Sequence, residues 1–434
     1  MKCPMAPSER RSLRSRFAEH GWVVFTVLTL LFIFSYMVRL STGVLGPMLI
    51  DDLNINAGQL GLLAGVFFYA FGAAQIPVGL ALDSFGPKRT IIATSLLAVA
   101  GCILTGVGTS YSLVLVGRLL LGLGMSSVLM GSLKVFANWF RADRFAFLAG
   151  SILSLGNLGG LLAATPLLLM AMTLGWRNCF FYFAAFVLLI IFLIACLVSD
   201  HPPRIDAGQD AGPPPSGPRG WQGLAALGSI FLNWHFWIMG LGSFVRYGSM
   251  LTIHGFLGML YLVEIVGLGP EEAGTVLGMI SVGYLIGSPL AGRLSDTVLR
   301  SRKKVVTAGF FLFALNMIPF WFPASIPLPL WYILFGCIGL FSATSPVNFA
   351  HVKELFPPRM TGTVLTGANL FVMLGAALGS QLTGAFLELY PRSAAGYPSQ
   401  AYLLVFLGLF AASMIAGLLY ILVKDTHGVR NGQA

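Results

Sequence analysis

Two arginines stand where arginines are rare. Arg39 closes the stretch Phe32-Ile33-Phe34-Ser35-Tyr36-Met37-Val38-Arg39, inside an apolar run from near Trp22 to the pair Asp51, Asp52. At ~1.5 Å per helical residue it lies about 25 Å along that run. Arg246 lies at a similar depth in a later run, in Ser243-Phe244-Val245-Arg246-Tyr247-Gly248. A cation at bilayer depth is costly and usually has a task. All 16 acidic residues fall in loops or near the ends of apolar runs, so no central carboxylate can pair with either arginine. The planar guanidinium fork suits a carboxylate or a phosphate. The residues therefore point to an anionic ligand as the missing partner. The alternative is that both arginines bond helix carbonyls or a buried water.

Other residues could line such a site. Tyr36 lies one turn before Arg39 on the same helical face and could add a hydroxyl, or simply pack. Asn157 and Asn369 lie at mid-depth beside glycines, where an amide can bond a ligand or hold helices together. Gln75, just before Pro77, is a candidate cavity amide. His254 follows Arg246 by two turns and could titrate, although a lone histidine is more often a packing residue. Met250 and His254 have i, i+4 spacing but no third ligand nearby, so no metal site is expected. Lys134, near the end of its run, can snorkel to the surface.

The elements that must hold these residues are membrane helices. The chain has 434 residues, 56% of them hydrophobic and 10% charged, with a mean hydropathy of +0.83; a soluble domain carries about 25% charged residues. Each span needs about 20 apolar residues. Twelve runs qualify, near 22–50, 58–82, 90–108, 112–138, 145–171, 178–198, 232–263, 272–294, 305–322, 330–355, 362–390 and 400–423. Residues 199–231 are rich in Pro, Gly and charge and read as a flexible linker. The expected organisation is a basic segment 1–21, a six-helix bundle 22–198, the linker, a second six-helix bundle 232–423 and a tail 424–434.

Most of the 26 basic residues fall in alternate loops, at the same end as both termini. The opposite loops carry only Arg177 and Arg392, and Arg39, Arg118, Lys134 and Arg246 lie within the runs. The positive-inside rule then puts both termini in the cytoplasm. The net charge of +10 reads as loop anchors rather than a nucleic-acid surface. Cys3, Cys102, Cys179, Cys196 and Cys337 show no disulfide or metal spacing. The basic start leads into a full-length run without a cleavage pattern, so it is not read as a signal peptide.

The halves repeat each other. Gly79-Leu80-Ala81-Leu82-Asp83 ends the second run and Gly292-Arg293-Leu294-Ser295-Asp296 the eighth; Asn157 is echoed by Asn369, and Arg39 by Arg246. Internal repeats are how many secondary transporters are built, with the site at the repeat interface. The loop Gly79-x-x-x-Asp83-x-x-Gly86-x-Lys88-Arg89, with Arg118-x-x-x-Gly122-x-Gly124 and Gly175-Trp176-Arg177, resembles the signature of the major facilitator superfamily. The resemblance covers nearly the whole chain. It implies an all-α membrane protein of twelve transmembrane helices in two pseudo-symmetric six-helix bundles. Asp83, Lys88, Arg89 and Asp296 would then act as gating latches with Lys303 and Lys304 as basic partners, and Arg118 as a brace of the fourth helix.

Within that superfamily the chain looks most like the organophosphate:phosphate antiporters. Tyr36-x-x-Arg39, Arg246-Tyr247-Gly248 and His351-Val352-Lys353-Glu354-Leu355 after Pro346 resemble motifs of that family. Carried over, Arg39 and Arg246 would clamp the charged group of the cargo. Gln75 stands where the glycerol-3-phosphate exchanger has a lysine, Gly156 where it has a histidine, and Phe71 where it has a tyrosine. These departures leave carboxylates as open as phosphate.

The expected activity is secondary transport of a small organic anion by alternating access. Exchange is the expected mode, because two bare arginines repel each other when the site is empty. No nucleotide-binding loop occurs, and no cofactor, metal or nucleic acid is expected. The protein is expected to work as a monomer in the inner or plasma membrane. The alternatives are a proton-coupled carboxylate symporter, a transporter-like sensor of a phosphorylated metabolite, and a drug efflux pump.

Overall fold

The computed structural model describes residues 7–140, 142–200, 232–356, 361–393 and 396–426. The expected linker lies almost wholly outside the described residues, as do the first residues of the basic segment and most of the tail. The described chain is helical, with one isolated bridge between Ser393 and Gly396. Eleven of its helices are long and apolar enough to cross a membrane.

The spanning segments are α1 (Pro7–Val44), α2 (Ala57–Ser84), α3 (Pro87–Gly106), α4 (Tyr111–Trp139), α5 (Leu148–Leu174), α6 (Trp176–Leu197), α7 (Trp234–Thr252 continuing to Glu264), α8 (Pro270–Val298), α9 (Arg302–Trp321), α10 (Leu328–Glu354), α11 (Thr361–Leu387) and α12 (Ser399–Tyr420). The segment outside the eleven is α7. It holds Arg246, Tyr247, Ser249, Thr252 and His254, too many polar groups for a lipid-facing helix. It also contains a π turn over Ile253–Leu257 before Gly258–Glu264. Such turns occur mostly as single interruptions and often at functional sites. The first helix starts at Pro7, well inside the segment expected to precede it. Leu13, Ala18, Glu19 and the arginines there are good helix formers.

The helices crossing between halves are close at one end and apart at the other. At the end bearing Asp52 and Glu388, a Cβ on Gly61 would lie 2.6 Å from the Ser380 carbonyl, and one on Gly65 2.8 Å from that of Ala377. Further along α2, a Cβ on Gly79 would meet nothing within 4 Å. The α5–α8 pair behaves alike. Thr165 and Thr275 share a hydrogen bond of 2.9 Å, whereas nothing lies within 4 Å of Cβ positions on Gly150 and Gly292. The halves thus open toward the end that carries Asp83 and Asp296.

The closed end is held by backbone donors of one half and side chains of the other. Asn56 and Gln59 form a reciprocal capping box at the start of α2. The next free donors, Ala57 N–H and Gly58 N–H, go to the Tyr397 hydroxyl (3.2 Å) and a Glu388 carboxylate oxygen (3.0 Å) across the interface. A carboxylate is well placed at a helix N-terminus. Glu264 holds Tyr397 in turn, accepting from its backbone N–H at 3.0 Å and from the Tyr402 hydroxyl at 2.7 Å.

A candidate anion site between the halves

The site begins with the register of α1. Tyr36 and Arg39 are one turn apart and fall on the face turned to the other half. The Tyr36 hydroxyl shares a hydrogen bond of 3.1 Å with that of Tyr247 on α7. Tyr247 meets the ring of Tyr284 on α8 edge-on, with centroids 6.5 Å apart. A row of phenols therefore crosses from one half to the other at the depth of Arg39.

Arg39 is only 6% exposed. Its guanidinium carbon lies 5.1 Å from the Tyr36 ring centroid and 5.1 Å from that of Phe71. Ring faces attract a cation but do not accept its N–H groups as a carboxylate would. No described residue accepts a hydrogen bond from Arg39, and its buried Nε is without a partner. A desolvated cation so placed is expensive unless something else pairs with it.

Arg246 shares the unpartnered buried Nε but differs in its two terminal nitrogens, which are engaged. It is 2% exposed and reaches into its own half. It donates to the Thr344 hydroxyl on α10 and, at 2.6 Å, to the Val306 carbonyl on α9. Its guanidinium carbon stacks 3.5 Å above Phe310. Among the described residues, the hydrogen-bond and ring partners of the two arginines do not overlap. Arg246 is thus bonded to a helix carbonyl and a threonine hydroxyl, whereas Arg39 donates to no acceptor among the described residues.

The remaining expected site residues divide in the same way. Gln75 is half-buried and donates to the Phe71 and Ser126 carbonyls at 3.3 and 3.4 Å. Asn157 donates to the Leu153 carbonyl of its own helix at 3.0 Å. Asn369 is half-buried and has no hydrogen bond among the described residues. Arg118 is a brace: it donates to Val38 O at 2.9 Å, Leu63 O at 3.3 Å and Ser41 Oγ at 3.3 Å, tying α4 to α1 and α2. Tyr247, Tyr284 and Phe71 were not singled out as lining residues. Tyr247 stood in the quoted motif, and Tyr284 is the lone aromatic at the centre of a glycine-rich run.

The loop residues are engaged within their own halves. Asp83 pairs with Lys134 at 2.6 Å, so Lys134 is a partner rather than a free snorkelling chain. Lys88 donates its backbone N–H to Asp200 at 2.7 Å and its ammonium to the Ala195 carbonyl at 2.7 Å; no partner of Arg89 is seen among the described residues. Asp296 is taken by Arg302, which also reaches Glu354 at 3.2 Å. The expected Lys303 and Lys304 do not fill that place. Arg302 begins α9, and its fork spans both carboxylates, which a point-charged ammonium does poorly.

The family model of the Major Facilitator Superfamily matches residues 27–254 and 239–434. A probable sulfoacetate transporter of Cupriavidus necator is 27% identical over 281 residues, which span 64% of this chain and 65% of that one, just under two thirds of its length. The hexuronate transporter of Escherichia coli is 25% identical over 395 residues, 85% of this chain and 88% of that one. Among solved structures, a bacterial homolog of the human lysosomal transporter Spinster, inward-facing and unoccupied, shares the fold. The TM-score is 0.76 over 93% of this chain and 97% of that one, at 17% identity. The chain belongs to the Major Facilitator Superfamily and is a membrane transporter.

Proposed function

We propose that this transporter carries a small organic acid by alternating access, with the cargo's carboxylate or sulfonate on Arg39. The observation that carries the reading is the buried guanidinium of Arg39, unpaired at the interface of the halves. Tyr36 and Tyr247 are the adjoining hydroxyls. Their mutual hydrogen bond would open as cargo enters, and each would then turn to the cargo. Asn369 is free to line the same space, whereas Gln75 and Asn157 would have to leave backbone partners.

The similarity to transporters of sulfoacetate and of hexuronates supports a carboxylate or sulfonate cargo. A phosphate ester remains the narrower alternative. Its second negative charge calls for a second cation, and Arg246 would have to leave Thr344, Val306 and Phe310 to supply it. Obligatory exchange would follow from two bare arginines repelling each other in an empty site. With Arg246 engaged, the barrier to empty return rests on Arg39 alone.

The bundles 22–198 and 232–423 are read as the two moving bodies, with the open end facing the cytoplasm and both termini there. Asp83 and Asp296, each paired within its own half, are read as latches that steady the open end rather than as cargo ligands. A hydrophobic drug would leave Arg39 without a partner. A sensor would have the same site, and flux into sealed vesicles separates the two.

The test is a thermal-shift screen of purified protein against glucuronate, galactonate, sulfoacetate, lactate and glycerol 3-phosphate. Stabilisation by one or more of the carboxylates or by sulfoacetate, lost in Arg39→Lys, is expected. Stabilisation by glycerol 3-phosphate alone would return the reading to phosphate esters.

A further inference from the structure

Two buried histidines lie outside the anion site, and they differ. His254, in the π turn of α7, has its Nε2 unpartnered beside Ser281 and Gly160. His351, fully buried on α10, has both ring nitrogens engaged. Its Nδ1 lies 2.9 Å from the Tyr420 hydroxyl on α12, and its Nε2 lies 2.9 Å from the Lys424 carbonyl just past that helix. The Tyr420 hydroxyl lies 2.6 Å from Asn348 Oδ1. The Asn348 amide nitrogen donates to Ser243 Oγ at 2.7 Å and to the Met239 carbonyl at 3.2 Å, both on α7.

The hydrogens along this row fix the charge of the imidazole. A carbonyl only accepts, so Lys424 requires a hydrogen on Nε2, and Met239 turns the amide nitrogen of Asn348 toward itself. Asn348 Oδ1 is then an acceptor, and the single phenolic hydrogen of Tyr420 goes to it. Nδ1 faces a hydroxyl oxygen that has no second hydrogen to give, so Nδ1 must donate. Only the imidazolium carries hydrogen on both nitrogens. Every neutral arrangement leaves one buried contact without a hydrogen. The empty contact falls between Nε2 and the Lys424 carbonyl, or between Tyr420 and Asn348. With the amide turned over, it falls between Oδ1 and the Met239 carbonyl.

The surrounding charges suit a cation. Glu354 and Asp425 attract it and Arg302 of α9 opposes it. Arg302 is itself held by Asp296 and Glu354. From α7, Arg246 faces Tyr420 and His235 faces Lys424. Lys353 of α10 is exposed, and α11 carries no charged residue over Thr361–Leu387. The same segment past α12 makes two more bonds. Thr426 Oγ1 donates to Glu354 Oε2 at 2.7 Å, and the Ser301 hydroxyl donates to Asp425.

We infer from these bonds that His351 is a proton-operated clasp for the end of the chain. As imidazolium it pins Lys424–Thr426 across the start of α9 and the end of α10, and loss of its proton sets that segment free. The Lys424 carbonyl covers Nε2 while the Lys424 side chain is exposed, so the proton exchanges with water as the segment lifts. Docking takes up one proton. It is therefore strongest at low pH and weakens by up to about tenfold per pH unit as pH rises, across the ~pH 5–8 range in which histidine changes charge. Glu354 joins the clasp to the latch, because Thr426 holds one of its oxygens and Arg302 the other. Release of the segment removes one of the two bonds that fix Glu354 for Arg302.

The test is trypsin cleavage of the purified full chain after Lys424, the residue whose carbonyl His351 holds. A peptide of residues 420–434 in the same tube corrects for the protease's own pH dependence. Cleavage relative to the peptide should be at least tenfold slower at pH 6.0 than at pH 8.5. In His351→Gln the protection at pH 6.0 should be lost. Tyr420→Phe removes the hydroxyl that forces Nδ1 to donate, so a neutral imidazole with hydrogen on Nε2 suffices. Its protection should persist to pH 8.5, with a step below threefold. A relative rate in the parent that does not change with pH would overturn the proposal. So would a step of parental size in either variant. Melting curves show which variants fold, and if His351→Gln does not, Tyr420→Phe decides.

Discussion

Closure of the end bearing Asp52 and Glu388 depends on a backbone contact that only glycine permits, and an alanine there should open it. A Cβ on Gly43 of α1 would lie 2.3 Å from the carbonyl carbon of Gly255 and 2.6 Å from its oxygen. The obstacle is backbone, so no rotamer change relieves it and α1 must part from α7. Overpacking of this kind costs about 1–3 kcal/mol. The cost falls on the state closed at this end and is absent once the halves separate there. Gly43→Ala should therefore shift the equilibrium toward the state open at this end by about 5–150-fold. Spin labels on the loops near Asp52 and Glu388 would report the change as a longer distance population by double electron–electron resonance. Gly79→Ala is the control, because its Cβ meets nothing and the distribution should stay put. An unchanged distribution in Gly43→Ala, with the protein folded, would refute the identification of this contact as the gate at that end.

Two further expectations follow from the partners seen. Arg246→Lys keeps the charge but loses the fork between Thr344 and Val306 and the stack on Phe310, so about 2–3 kcal/mol of stability should go. Thermal melting should fall by several degrees while affinity changes less than threefold, and an affinity loss beyond tenfold would make Arg246 a ligand after all. Asp83→Asn breaks the pair with Lys134, in which Asp83 is mostly exposed, so it should cost well under 1 kcal/mol of stability. Its effect should appear in transport rate, and a large loss of affinity in a fixed conformation would place Asp83 in the site.

The helices, and the two arginines buried within them, were legible because lipid imposes a simple rule. A span must be apolar, so each polar interruption is conspicuous. The repeat likewise pointed to Asp83 and Asp296 as equivalent positions. What satisfies Arg246 was not legible. Val306 contributes a backbone carbonyl sixty residues away, and no side-chain type marks a carbonyl as free. Arg302 was passed over for Lys303 and Lys304 because adjacent cations look alike until the start of α9 turns one of them inward. The helix 7 π turn was hidden too, since a single slip in hydrogen-bond register leaves no compositional trace. His254 could be noticed but not interpreted, because its isolation is a property of Gly160 and Ser281 on other helices.

The central claim is that Arg39 holds the anion, and the direct measurement is the affinity of Arg39→Lys for the ligand chosen by the thermal-shift screen, by calorimetry on purified protein. Lysine keeps the charge but has no planar fork, and truncating one partner of a buried charge-assisted contact costs about 2–5 kcal/mol. Binding should weaken by at least tenfold, with melting of the unliganded variant within a few degrees of the parent. Wild-type affinity in Arg39→Lys would contradict the account.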